Sequence, residues 1–141
     1  NEIFEPYWNY SVLLFCEKNY SDALKYVKQS LEELPHKLEL DIISIKINKW
    51  IFEYSLDLIE LNELYKSIKS IFEKPIINKD PWVKFIVQYN LYNIETAING
   101  FSHIEYDDYY LKKQALYTGF EVFNEVKDIK IVLSLSPNWR Y

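Results

Sequence analysis

The side chains in this chain that could do chemistry are mainly amides on one predicted helix. Asn90 and Asn93 lie three residues apart, a spacing that places both on one helix face. Asparagine is a poor helix former, so amides inside a helix indicate a role other than helix formation. Since a carboxamide both donates and accepts hydrogen bonds, such residues can hold the main chain of a bound peptide. A solvated helix surface is the alternative interpretation.

The ionisable residues form no recognisable catalytic or metal-binding pattern. His36 and His103 have no partner at the spacing of a metal site or a catalytic triad. Glu105, Asp107 and Asp108 lack the alternating ligands and the glycine of a calcium loop, and a helix N-terminus explains them more simply. Two Gly in the whole chain cannot build a phosphate-binding glycine loop. We therefore predict a protein that is not an enzyme, with no metal and no cofactor.

Composition and charge exclude further classes of function. The net charge is −5, and the 16 Lys and Arg are scattered among 21 Asp and Glu, so we predict no direct nucleic-acid binding. No apolar run is long enough for a membrane span, and no secretory signal begins the chain. The single Cys16 cannot form an internal disulfide. These features predict a cytoplasmic chain without a membrane partner.

Helical periodicity covers most of the sequence. Two Gly and five Pro are too few for the frequent turns of an all-β protein, so we predict an all-α fold. We predict one helical-repeat domain over residues 1–141, with helix pairs at about residues 4–35, 37–75 and 81–126 and a tail at residues 127–141. The chain has no Met and begins with Asn1, which suggests a piece of a longer protein.

Several boundaries follow from local signals. Asp80 and Pro81 have the residue types of an N-cap and a first helical position, and Gly100 predicts a left-handed helix end. The sixth helical segment is predicted from about Asp107 to Val126. Ile129–Leu135 is rich in β-branched residues, and its pattern is compatible with either a last helical turn or an extended strip.

The chain also shows internal repetition. A shift of 40 residues aligns Leu24 with Leu64 and Pro35 with Pro75, and it brings large apolar residues of the first predicted helix onto those of the third. Repeats of this length are typical of stacked helix pairs.

Residues 4–35 resemble a tetratricopeptide repeat, and residues 38–75 match the pattern more weakly. In the first unit the matching residues are Tyr7, Tyr10, Ser11 and Leu14 on the first helix and Ala23, Val27, Ser30 and Pro35 on the second. The resemblance implies a right-handed stack of about three antiparallel helix pairs, in which the first helix of each pair lines a concave groove. Such grooves bind a peptide or a protein segment. The implied peptide-binding residues are Trp8, Asn9, Val12, Asn48, Phe52, Tyr89, Asn90 and Asn93.

Three functions are compatible with this pattern. The leading one is a binding module for a peptide or protein segment, and such stacks resemble the sensor half of peptide-responsive regulators of the Rap, Rgg and PlcR type. The second is a structural or oligomerisation scaffold, for which a homodimer is one form. The third is an uncharacterised enzyme, which requires Glu105, Asp107 and a histidine to meet in one deep pocket.

Overall fold

The computed structural model describes residues 4–35, 38–118, 123–126 and 131–138, and the chain is mostly helical in these ranges. The described elements are α1 (Phe4–Cys16), α2 (Tyr20–Glu33), α3 (Glu39–Ser55), α4 (Leu61–Phe72), a 3-10 turn (Pro75–Lys79), α5 (Pro81–Asn99), α6 (Asp108–Thr118), β1 (Phe123–Val126) and β2 (Ile131–Ser134). The helical class predicted from the sequence is confirmed. Among the described residues, none of the helices combines the length and apolar character that crossing a bilayer needs.

Each helix from α1 to α5 packs against the next one along the chain. In the first pair, the rings of Phe15 and Tyr20 meet 4.9 Å apart beside the connecting turn. At the opposite end Ser30 Oγ donates a 2.9 Å hydrogen bond to the Phe4 carbonyl. The two helices are therefore antiparallel. Their apolar faces join those of α3, α4 and α5 in one cluster of buried residues.

The chain beyond α5 differs from the prediction. We expected a helix to about Val126, but α6 ends at Thr118 and Phe123–Val126 is a strand, so the third helix pair is shorter than 81–126. A glycine directly after Thr118 disfavours a longer helix. Of the segment Ile129–Leu135, residues 129–130 lie outside the described residues, and Ile131–Ser134 forms β2, antiparallel to β1. The extended alternative is correct there.

The ends of α5 follow the predicted signals. Asp80 is the N-cap, and its Oδ1 accepts hydrogen bonds from the backbone N–H groups of Trp82 (2.9 Å) and Val83 (3.2 Å). Gly100 ends the helix with a φ of 85°, in the left-handed region that glycine adopts at little cost. Both ends of the helix are therefore set by residues within or next to it.

Asp80→Ala should lower the free energy of unfolding by about 1 kcal/mol, because two N–H groups in the first turn of α5 lose their acceptor. Asn19→Ala is the matched control, since Asn19 is the N-cap of α2 but makes no capping hydrogen bond. Urea denaturation followed by circular dichroism measures both. Equal losses in the two variants would contradict the assignment of Asp80 as the stronger cap.

A polar network joins α4, α5 and the loop that follows. Glu95 accepts a 2.7 Å hydrogen bond from Tyr65 Oη and a 2.6 Å hydrogen bond from Ser102 Oγ. Burial alone would raise the pKa of Glu95, but the bonds from Ser102 and Tyr65, together with the nearby Lys69 and His103, outweigh burial and lower it. The bond to Glu95 in turn raises the pKa of Tyr65. The network therefore favours an ionised Glu95 in the folded chain.

A carboxyl whose pKa is lower in the folded than in the unfolded chain stabilises the fold above its unfolded pKa. That contribution is lost as the pH falls through the folded pKa, so we expect the melting temperature to drop below about pH 4.5, near the ordinary pKa of Glu95. Glu95→Gln should flatten this part of the profile, and Tyr65→Phe should flatten it in part. Thermal melts at a series of pH values measure the slope, and an unchanged slope in Glu95→Gln would contradict the role of the network.

Candidate functional site

The stretch Ile131–Asn138, which we call the inserted segment, comprises β2 and the four residues that follow it. Seven of its eight residues are buried, and Val132 is half-buried. Apolar residues alternate with small ones in Leu133-Ser134-Leu135-Ser136. The inserted segment contacts the three odd-numbered helices, α1, α3 and α5, which together form a groove around it.

Two buried amides hold the main chain of the inserted segment. Asn90 Nδ2 donates to the Ser134 carbonyl (2.9 Å), and Asn90 Oδ1 accepts from the Ser134 N–H (2.7 Å). Asn48 does the same to Ser136, with distances of 2.8 Å to the carbonyl and 2.6 Å from the N–H. Each carboxamide therefore satisfies both backbone groups of one residue, as a neighbouring strand does in a sheet.

Helix α1 supplies the third set of contacts. Trp8 Nε1 donates a 2.8 Å hydrogen bond to the Ser136 carbonyl, which Asn48 also contacts. Glu5 Oε2 accepts a 2.7 Å hydrogen bond from Asn138 Nδ2. The contacted residues are thus Ser134, Ser136 and Asn138, at a step of two. In an extended chain, alternate residues direct their backbone groups to the same edge, which explains the contacts to Ser134 and Ser136, whereas Asn138 is contacted through its side chain.

The local sequence explains why these helices present polar groups inward. On α3 the polar residues Asp41, Ser44 and Asn48 recur at positions i, i+3 and i+7, a spacing that puts them on one helix face. On α1, Glu5 and Trp8 take the first two of these positions and the apolar Val12 takes the third, and all six residues are buried. The face of α3 that looks into the groove is therefore polar, although most of the other buried residues of that helix are apolar.

A small cavity of about 70 Å³ lies at the end of the groove beside Asn138. Its lining includes the carboxyl-bearing residues Asp41 and Asp80, together with Ser44 and Trp8. Glu5 contacts Asn138 at the same end of the inserted segment. The groove therefore has amides along its centre and acidic residues at the end that holds Asn138.

A second and larger cleft, of about 400 Å³, lies between α5, α6 and the loop that joins them. Glu105 and Asp107 line it together with Lys84 and the rings of Phe85, Tyr106 and Tyr110, whereas His103 is not part of the lining. Burial, followed by the neighbouring Tyr89 and Asp108, raises the pKa of the Tyr106 hydroxyl. Within the described ranges, no three His, Cys, Asp or Glu side chains come together to hold a metal ion. His36 lies outside the described residues.

The structure brings together three of the eight residues predicted to bind a peptide. Trp8, Asn48 and Asn90 all contact the inserted segment. Val12 and Phe52 are buried in the apolar core, where the Phe52 ring stacks on Phe15 at 4.9 Å.

The other three residues lie apart from these contacts. The Tyr89 ring packs on Phe85 and Tyr106, beside the larger cleft. Asn9 is exposed. Asn93 Nδ2 is buried, and no described residue accepts a hydrogen bond from it. Sequence reasoning missed Ser134, Ser136 and Asn138, although the alternation of apolar and small residues there is a signal for a buried extended strip.

Comparison with known proteins adds no assignment to this geometry. No protein-family profile, curated protein sequence or solved structure matches the chain. The function is therefore argued from the groove itself.

Asn90→Ala should lower the free energy of unfolding by about 2–4 kcal/mol, because two buried hydrogen bonds to the backbone of Ser134 are lost. Asn93→Ala, one turn further along α5, is the matched control and should not lower it, since its buried Nδ2 has no partner to lose. Chemical denaturation of both variants tests this. Similar losses at the two positions would show that the Asn90 bonds contribute little.

Proposed function

We propose that the chain is a non-catalytic module that binds an extended peptide or protein segment in the groove of α1, α3 and α5. The observation that carries this proposal is the pair of amides, Asn48 and Asn90, each bonded to both backbone groups of a single extended residue. Because every residue except proline offers these two groups, such contacts recognise an extended main chain with few demands on its sequence. Binding of this kind needs neither a catalytic residue nor a cofactor.

The spacing of the groove residues supports a tetratricopeptide-like stack as the scaffold. Trp8 and Asn48 are separated by the 40-residue lag of the sequence repeat, and both donate to the Ser136 carbonyl. Asn90 follows Asn48 by 42 residues and contacts the segment two residues away, at Ser134. Residues spaced about 40 positions apart on alternate helices thus contact two backbone positions of one extended chain, on the kind of concave surface that helix-pair stacks present.

The finer form of the proposal is the sensor half of a peptide-responsive regulator. In that role the ligand is a short signalling peptide, and a separate effector segment responds to its binding. The resemblance to regulators of the Rap, Rgg and PlcR type motivates this form, and the main-chain contacts of Asn48 and Asn90 are compatible with a short extended ligand.

A structural role is the second candidate, and one observation favours it. The inserted segment is buried along nearly its whole length and already occupies the groove amides. In this alternative the segment closes the groove permanently, and the chain serves as a scaffold or an oligomerisation unit. The two candidates differ in whether a peptide added to the intact chain reaches the groove.

The indole N–H of Trp8 provides a direct probe of the groove. The chain has four Trp residues, and Trp8 Nε1 is bonded to the inserted segment, whereas the Trp82 ring packs on Tyr110 at the larger cleft. Peptides selected from a random library against the intact chain can be titrated into protein labelled with ¹⁵N at Trp. We expect a saturable shift of the Trp8 indole signal, assigned with Trp8→Phe, and an unchanged Trp82 signal.

Two results would contradict the proposed function. One is a library that yields no peptide enriched over selection against the heat-denatured chain. The other is a set of peptides that shift Trp82 and leave Trp8 unchanged, which would move the binding site from the groove to the larger cleft. Light scattering on the same samples distinguishes the scaffold, which predicts a stable dimer in the absence of peptide.

A further inference from the structure

An empty groove between α1, α3 and α5 would be energetically unfavourable. Asn48 and Asn90 are fully buried, and together with Trp8 they form five hydrogen bonds with the backbone of Ser134 and Ser136. Removing the inserted segment without a substitute would break these five bonds and expose to water the apolar core that Ile131, Leu133 and Leu135 pack against. An occupant that offers the same backbone groups avoids this cost. We therefore expect the inserted segment to leave the groove most readily when another extended chain takes its place.

We propose that the inserted segment is an exchangeable internal occupant that imitates the natural ligand of the groove. This inference rests on the proposed function and adds the chemical class of the ligand. The ligand is an extended peptide in which apolar residues alternate with small ones, ending in an amide-bearing residue, as in Leu133-Ser134-Leu135-Ser136-Pro137-Asn138. The segment thereby keeps the groove filled until such a peptide replaces it.

The burial of each position defines what the ligand must resemble. Ser134 and Ser136 are 0% exposed, so only a small side chain fits where the backbone meets the amides. Leu133 and Leu135 are buried in the apolar core, so the positions that alternate with the two serines favour aliphatic residues. Asn138 donates to the Glu5 carboxylate, so the last position favours a hydrogen-bond donor. The main-chain bonds supply affinity, and these pockets supply specificity.

Tethering explains why a free peptide would bind the intact chain only weakly. A tethered occupant competes at an effective concentration in the millimolar range, far above that of a dilute ligand. The apparent dissociation constant of a free peptide is the intrinsic constant divided by the fraction of molecules in which the groove is open. Any change that releases the inserted segment and leaves the groove intact should therefore tighten binding of the free peptide.

A proline substitution within the inserted segment can release the segment without changing any residue of the groove. Ser136→Pro removes the N–H that donates to Asn48 and leaves every groove residue unchanged. Ser136→Ala is the matched control, because it keeps the backbone N–H and removes only a buried hydroxyl that has no partner among the described residues. Both variants are tested in the full chain, with circular dichroism to verify folding.

The probe is a fluorescent peptide with the sequence of residues 131–138 and solubilising lysines at its N-terminus. Fluorescence anisotropy should show that it binds Ser136→Pro at least about tenfold more tightly than it binds the unaltered chain or Ser136→Ala. A peptide with tyrosine at both serine positions should lose this binding, because the two sites are fully buried.

Hydrogen exchange of the unaltered chain provides an answer that does not depend on folding of the proline variant. Excess peptide should accelerate exchange of the Ser134 and Ser136 amides of the chain and leave the amides of α1, α3 and α5 protected. The inference would be overturned if the exchange rates of these two amides were the same with and without the peptide.

The outcomes also separate this inference from the proposed function. If library peptides shift Trp8 but share no alternation of apolar and small residues, and the probe fails to bind Ser136→Pro, the proposed function stands and the ligand class is wrong. If neither the probe nor any library peptide binds any folded variant, both proposals fail. The inserted segment is then a permanent part of the fold.

Discussion

The fold depends on one constraint: amides buried among apolar helices need hydrogen-bond partners, and the backbone of the inserted segment provides them. Asn48 and Asn90 each have one donor and one acceptor that face a single residue. A shift of the inserted segment by one residue would turn its N–H and carbonyl groups to the opposite edge and leave the amides unpaired. The polar groups thus set the register, while the apolar residues between them supply most of the burial energy.

This constraint divides the helices into two kinds. The odd-numbered helices carry polar residues at their buried faces, whereas the buried residues of α4 are all apolar: Leu64, Ile68 and Ile71. The buried Ser30 of α2 donates to the Phe4 carbonyl, whereas the residue 40 positions later, Ser70, is exposed. The 40-residue lag therefore relates these two serines in sequence but not in burial. The groove depends on α1, α3 and α5, and the even-numbered helices support it.

Local signals predicted the helices well, because caps and periodicity act within a few residues. Asp80 and Gly100 bound α5 as expected, and the amide pair pointed to Asn90 as a groove residue. The two amides of that pair nevertheless have different surroundings, since Asn90 meets Ser134 and Asn93 meets no described acceptor. Sequence spacing fixes a helix face but not the partner that a distant segment brings to it.

The strands illustrate the same limit. Ile129–Leu135 has a β-branched pattern that fits two conformations, and only β1 and the groove amides select the extended one for Ile131–Ser134. Helix prediction failed for Phe123–Val126, because the apolar content continues there while the conformation is extended. Long-range pairing decided both cases, and one sequence without its relatives carries little information on such pairing.

The contacts of the inserted segment also bear on how the chain reaches its native state. They join residues 44, 88, 128 and 133 positions apart, whereas the helix pairs are built from near neighbours. Contacts of such high order are slow to form, because a long loop must close before any bond compensates for the lost chain entropy. We therefore expect helix pairing to precede docking of the segment, with the amides of the groove hydrated until then. During synthesis, these amides stay exposed until Asn138 has left the ribosomal tunnel. Until then they can contact any extended polypeptide nearby, such as a chaperone or another nascent chain.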